Sequence, residues 1–114
     1  DDSGRRRALE AAGAEVAVLP VRDERLDPDA VLTLLGQREI NEVMLEAGPT
    51  LAGAMLRAGL VDELVIYLAP HLLGDQSRGL FHLPGLETMD DRVALTIEDI
   101  RAVGPDWRIR ARLK

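Results

Sequence analysis

The sequence predicts an α/β fold, and three observations carry that expectation. Helix-type and strand-type segments alternate from Arg5 to Ala69. The continuous apolar run Leu64-Val65-Ile66-Tyr67-Leu68-Ala69 has the length and composition of a strand covered on both faces. From Val93 onward the pattern changes to apolar alternation on either side of Gly104-Pro105-Asp106, a turn tripeptide that reads as the bend of an antiparallel hairpin. Alternating helices and strands imply parallel strands joined by right-handed crossovers. The expected sheet is therefore mixed, with parallel strands, flanking helices and a C-terminal hairpin.

The elements follow in order. Arg5 to Ala12 reads as a short helix stopped by Gly13. Glu15 to Leu19 reads as a strand closed by Pro20, and the polar stretch Val21 to Leu26 as a loop. Asp27-Pro28 is a helix start, because Asp caps free N–H groups and Pro suits the first helical position. Val31, Leu34 and Leu35 continue that helix and Gly36 ends it. Ile40 to Glu46 is the second expected strand. Gly48-Pro49-Thr50 opens a third helix, which Gly59 stops. The strand Leu64 to Ala69 ends at Pro70, and an irregular, partly packed segment around Leu80-Phe81 and Leu83-Pro84-Gly85 follows. Val93, Leu95 and Ile97 alternate, as do Trp107, Ile109, Ala111 and Leu113; the phase slips between Ile97 and Ile100, which predicts a bulge near Glu98-Asp99.

Composition bounds the function. With 114 residues, the chain (1–114) is one small domain at most. Apolar residues make up 46%, which supports a packed core, and aromatics only 3%, so that core must be Leu, Val, Ile and Ala. A net charge of −6 argues against nucleic-acid binding, which needs basic surface to neutralise phosphates. No apolar run reaches the roughly 18 residues of a membrane span, and no secretory signal is visible. Cysteine is absent and the two histidines, His71 and His82, lack ligand spacing, so no metal site is expected. A cytoplasmic protein fits these features.

The segment Glu46-Ala47-Gly48-Pro49-Thr50-Leu51-Ala52-Gly53-Ala54 is the most informative. It lies where an expected strand ends and a helix begins, and ligands of open α/β sheets bind at strand carboxyl ends. The first N–H groups of a helix lack internal partners and favour an anion. Gly48 would let a ligand approach the backbone, and Gly53 would permit either helix packing or ligand approach. An ordinary helix start reads the same way, and the spacing is neither a dinucleotide Gly-x-Gly-x-x-Gly nor a P-loop. Glu46 is open to two readings: a carboxylate that bonds a substrate, or a capping or salt-bridged group. Arg108, Arg110, Arg112 and Lys114 form one face of the last strand. They read as the solvated face of an edge strand, with a basic binding stripe as the alternative. His71 and His82 read as loop or surface histidines, and Trp107 as a core residue.

The stretch from Ile40 to Ala54, with Ala58-Gly59-Leu60-Val61-Asp62-Glu63-Leu64 and Leu68-Ala69-Pro70-His71-Leu72-Leu73-Gly74, closely resembles the reductase domain of the bifunctional riboflavin-biosynthesis deaminase/reductase. Leu83-Pro84-Gly85-Leu86 and Arg101-Ala102-Val103-Gly104-Pro105-Asp106 continue the resemblance. It implies a dihydrofolate-reductase-like fold. It also implies NADPH-dependent reduction of 5-amino-6-(5-phosphoribosylamino)uracil, in which the ribose becomes an open ribityl chain. On the same resemblance, Glu46 contacts the substrate, and Gly48, Pro49, Thr50, Leu51, Ala52, Gly53 and Ala54 contact the cofactor. No residue is singled out as the proton donor. His71 stands where lysine is frequent in the family. The upstream half of the reductase domain and the zinc deaminase domain are absent from these residues, so the chain is expected to be a partial domain, inactive by itself. A homodimer is expected. The alternatives are a related pyrimidine or pterin-type reductase of the same fold, and a non-catalytic association module built on Leu64 to Ala69 and the hairpin.

Overall fold

In a computed structural model of the chain, residues 2–114 are described. They belong to two compact units, Asp1–Val43 and Met44–Lys114.

The first unit opens with helix α1, Asp2–Ala11. It closes at Gly13, whose N–H donates to the Glu10 carbonyl, while the Ala14 N–H donates to that of Leu9. Two short antiparallel strands follow, β1 (Val21–Arg22) and β2 (Arg25–Leu26). The turn between them places Asp23 and Glu24 at φ 51° and 60°, the pair of left-handed residues that a two-residue hairpin turn uses. Helix α2, Pro28–Gln37, begins on Asp27. The Asp27 carboxylate accepts the Asp29 N–H at 3.1 Å and pairs with Arg22 at 3.0 Å, and Asp27 is itself buried.

The second unit holds helix α3 (Pro49–Arg57), strand β3 (Glu63–Leu68), a short 3-10 helix (Met89–Asp91), and strands β4 (Leu95–Val103) and β5 (Asp106–Leu113). The three strands form one antiparallel sheet in the order β3-β5-β4. Val103 faces Asp106 across the two-residue turn Gly104-Pro105. Gly104 has φ +60°, which glycine adopts without the clash that a Cβ would bring.

Register sorts the side chains by face. Ile109 lies between Ile66 and Ile100, and Ala111 between Leu64 and Ile97. The predicted bulge falls between Ile97 and Asp99. The extra residue, Glu98, brings Ile97 and Ile100 onto the same apolar face, which an unbroken alternation would not do. Ala111 is fully buried there. Beside the sheet, an apolar cleft is lined by Leu56, Leu64, Phe81, Leu83, Leu86 and Val93. The opposite face is charged. Arg112 pairs with Glu98 at 2.8 Å, and Asp99 receives Arg101 at 2.9 Å and Arg108 at 3.1 Å. Hydrogen bonds from Arg101 first, and then Arg108, hold the Asp99 carboxyl below its ordinary range.

Several sequence expectations need correction. The sheets are antiparallel, and no parallel pair occurs among the described residues. Glu15 to Leu19 and Ile40 to Glu46 are not strands. A strand exists only through hydrogen bonds to a neighbour, and apolar composition reports the tendency without the partner. Val18 and Met44, 80% and 83% exposed, are the result. The run from Leu64 is a strand shifted by one residue, and it is not covered on both faces: Val65 and Tyr67 lie half exposed on the charged side. The arginine-bearing strand β5 is the central strand, not an edge. Its charges are accommodated by acidic residues on both neighbours, Glu63 on β3 and Glu98 and Asp99 on β4. Val21 to Leu26 is a hairpin, not a loop. The helix α2 passes through Gly36, and the left-handed residue that ends it is Glu39, at φ 61°.

Candidate functional site

Helix α3 starts where the sequence predicts. Gly48 is its N-cap in extended conformation (φ −69°, ψ 170°), Pro49 holds the first helical position, and Ala58 with Gly59 ends it. Proline fits because its missing N–H would have no partner there. No side chain caps this start, and no acidic residue stands in its first turn. The N–H groups of Thr50 and Leu51 therefore keep the partial positive charge of a helix N-terminus. Gly48 does not adopt a glycine-only conformation, and a Cβ built on it would meet nothing within 4 Å. The space beside this backbone is open.

The residues singled out in the sequence are distributed as follows. Gly48 and Thr50 are exposed, Leu51 is half exposed, Pro49, Ala52 and Ala54 are partly buried, and Gly53 is buried with Met55. Thr50 and Leu51 thus lie toward solvent, whereas Gly53 packs inward. Glu46 stands two residues before the N-cap, exposed, with no ion pair or hydrogen bond to its carboxylate among the described residues. The capping and salt-bridge readings of Glu46 find no partner here.

Gly53 meets the backbone of His82. A Cβ on Gly53 would stand 2.1 Å from the His82 carbonyl oxygen, and the His82 N–H donates to the Pro49 carbonyl at 2.9 Å. The only trace of this contact in the sequence is a glycine inside a helix, which costs about 1 kcal/mol relative to alanine. Nothing in the spacing names its partner, 29 residues on.

The remaining candidates fall elsewhere. His71 borders a second cleft with Leu68, Pro70, Leu72, Pro105 and Trp107. Trp107 is half exposed, less enclosed than a core residue. The arginines of β5 are engaged by Asp99, Glu98 and Glu63. Among the described residues no group of His, Cys, Asp or Glu is arranged to hold a metal ion. Among the described residues, no helix is long and apolar enough to cross a membrane.

Known proteins resemble this chain over most of its length. The family model described as the RibD C-terminal domain matches residues 2–109. The riboflavin biosynthesis protein RibD of Escherichia coli is 51% identical over 89 residues, covering 78% of this chain and 24% of that protein. The 5-amino-6-(5-phosphoribosylamino)uracil reductase of Buchnera aphidicola is 36% identical over 87 residues, covering 76% of this chain and 42% of that protein. Among solved structures, Acinetobacter baumannii RibD superposes with a TM-score of 0.72 at 33% identity, covering 83% of this chain and 30% of that one. A pyrimidine reductase-like protein from Corynebacterium diphtheriae shares the fold, with a TM-score of 0.80 at 22% identity over 98% of this chain and 44% of that one. The chain thus spans between about a quarter and somewhat under half of the length of these relatives. Its mixed α/β fold with antiparallel sheets is similar to that of the RibD structures, and the chain belongs to the RibD C-terminal domain family.

Proposed function

We propose that this chain is part of an NADPH-dependent reductase that converts 5-amino-6-(5-phosphoribosylamino)uracil to its ribitylamino product in riboflavin biosynthesis. The observation that carries the reading is the start of α3: an uncapped helix N-terminus with open space beside Gly48, lying two residues after an unpartnered carboxylate. Membership of the RibD C-terminal domain family and the name of the Buchnera relative support the same reaction. The family match over residues 2–109 supports assigning residues 1–114 to one reductase domain of dihydrofolate-reductase-like type. The working enzyme is a cytoplasmic homodimer.

The residues at the start of α3 suit the cofactor. A phosphate is a compact anion, and the free N–H groups of Thr50 and Leu51 with the Thr50 hydroxyl are donors for it. Gly48 keeps side-chain bulk away from that backbone, and Pro49 sets the entry of the chain. Ala52, Gly53 and Ala54 complete the cofactor segment. NADPH supplies the hydride when bound. Glu46 acts on the substrate, as an acceptor for hydroxyl or N–H groups of the ribosylaminopyrimidine.

The test is to place a carboxylate among those donors. Thr50→Asp in the full-length enzyme is expected to raise the NADPH dissociation constant by roughly 10-fold or more, through repulsion of the phosphate. A correctly folded variant with an unchanged constant would rule the assignment out. Residues 1–114 alone are expected to show no NADPH oxidation with the pyrimidine substrate, because hydride transfer requires donor and acceptor to be held together in one geometry. Turnover on the order of 1 per second by the purified chain would contradict that expectation.

A further inference from the structure

We infer that Gly53 is a positioning residue, which clasps the backbone at His82 against the first two turns of α3 and thereby sets the free N–H end of that helix for the cofactor. The inference rests on the reading of α3 given above. It divides the Gly48–Ala54 segment into a ligand-facing part and a supporting part.

Three features of the second unit carry it. Pro49 and Gly53 are four residues apart, so they share one face of α3. Residue 82 engages that face twice. Its N–H donates to the Pro49 carbonyl at 2.9 Å, and its own carbonyl lies where a Cβ on Gly53 would be, 2.1 Å from the oxygen and 2.8 Å from the carbon. No side chain fits in that gap, and the obstacle is backbone, which cannot rotate away as a side chain could. The neighbours of His82 hold it there. Phe81 and Leu83, both partly buried, line the apolar cleft with Leu56 of α3 and Leu64 of β3. The imidazole of His82 is exposed and takes no part in these contacts.

The consequence is that the two faces of the first turn differ. The Pro49/Gly53 face is closed by residues 81–83, while Thr50 and Leu51 remain toward solvent. A glycine in a helix interior weakens that helix relative to alanine. At this position it is the residue that allows the closure. A larger residue at 53 must push residues 81–83 outward or tilt the start of α3, and either movement displaces the N–H groups that meet the phosphate.

The experiment uses the full-length enzyme with Gly53→Ala. Hydrogen exchange at the His82 amide is expected to accelerate, because its bond to Pro49 is lost. The dissociation constant for NADPH is expected to rise roughly 10-fold or more, while kcat at saturating NADPH changes much less. A general loss of folded protein would lower activity without this split between KM and kcat. If Gly53→Ala does not fold, Leu83→Ala loosens the same clasp from its other side, and a raised KM for NADPH with a nearly constant kcat is expected again. A folded variant that binds NADPH as the wild type does overturns the inference. Thr50→Asp, measured alongside, separates the two ideas. Weakened binding in Thr50→Asp but not in Gly53→Ala removes only the positioning role, whereas no weakening in either removes the anion site with it.

Discussion

Helices α2 and α3 both begin with a residue followed by proline, Asp27-Pro28 and Gly48-Pro49, yet their starts are built in opposite ways. The α2 start is closed. Asp27 is buried, caps the Asp29 N–H, and is paired with Arg22; a further acid, Asp29, stands in the first turn. The 3-10 helix at Met89–Asp91 is closed too, by a reciprocal box in which Thr88 and Asp91 satisfy each other's backbone. The α3 start has no side-chain cap and no acid in its first turn. Of these three starts, two neutralise their own positive ends with carboxylates of the chain, and the start of α3 leaves that end available. Similar local sequence grammar thus builds a start that the chain closes with its own carboxylates in one place and a start left open in another, and the difference lies in whether the chain supplies the anion itself.

Substitutions at these starts separate the two purposes. The largest effect is expected beside the open start. Glu46→Gln in the full-length enzyme removes a charged acceptor, and hydrogen bonds to charged groups contribute about 1.5–3 kcal/mol. The resulting fall in kcat/KM is therefore roughly 10- to 100-fold, with a melting temperature within a few degrees of wild type. A protein that melts early but has normal activity per folded molecule would make Glu46 structural and erase the contrast with Asp27.

At the closed start the pattern reverses. Asp27→Ala is expected to cost about 1 kcal/mol of stability, read from denaturant unfolding, while leaving the NADPH dissociation constant as it was. A changed dissociation constant with unchanged stability would mean that the α2 start also serves the ligand.

The smallest effect belongs to the 3-10 helix. Hydrogen bonds from the Thr88 side chain first, and then its backbone, hold the Asp91 carboxyl below its ordinary range. A carboxyl lowered in the folded state stabilises the fold fully above its unfolded value, about 3.9. That contribution is lost as pH falls through the lower folded value. Wild type and Asp91→Asn should therefore differ in melting temperature near pH 6, and the difference should shrink as pH falls below the unfolded value. A constant difference across that range would remove the carboxylate from the explanation.

The elements most legible in the sequence were those whose determinants are local. Pro28 and Pro49 mark their helices, Gly104-Pro105 marks the hairpin, and the phase slip after Ile97 marks the bulge, because each acts within a few residues of itself. The segments Glu15 to Leu19 and Ile40 to Glu46 misled because a strand needs a partner as well as apolar residues. The place of β5 in the middle of its sheet was hidden for a related reason: its arginines resemble an exposed edge until Glu63, Glu98 and Asp99 are seen on either side. Within the candidate site, the helix start at Gly48-Pro49 could be read from residue types, whereas residue type leaves Glu46 open between two readings and only the family resemblance implies a substrate contact for it. The clasp between Gly53 and His82 could not, since it joins two backbones across a loop with no pattern of its own.

The most direct test of the contrast is to build the α2 cap onto α3. Gly48→Asp places a carboxylate at the N-cap, where the space is open and aspartate is a preferred residue. Gly48→Ala in the full-length enzyme serves as the comparison for side-chain bulk. If the open start holds a cofactor phosphate, Gly48→Asp will be at least as stable as Gly48→Ala and will bind NADPH roughly 10-fold or more weakly. Equal dissociation constants for the two variants, both folded, would contradict the account.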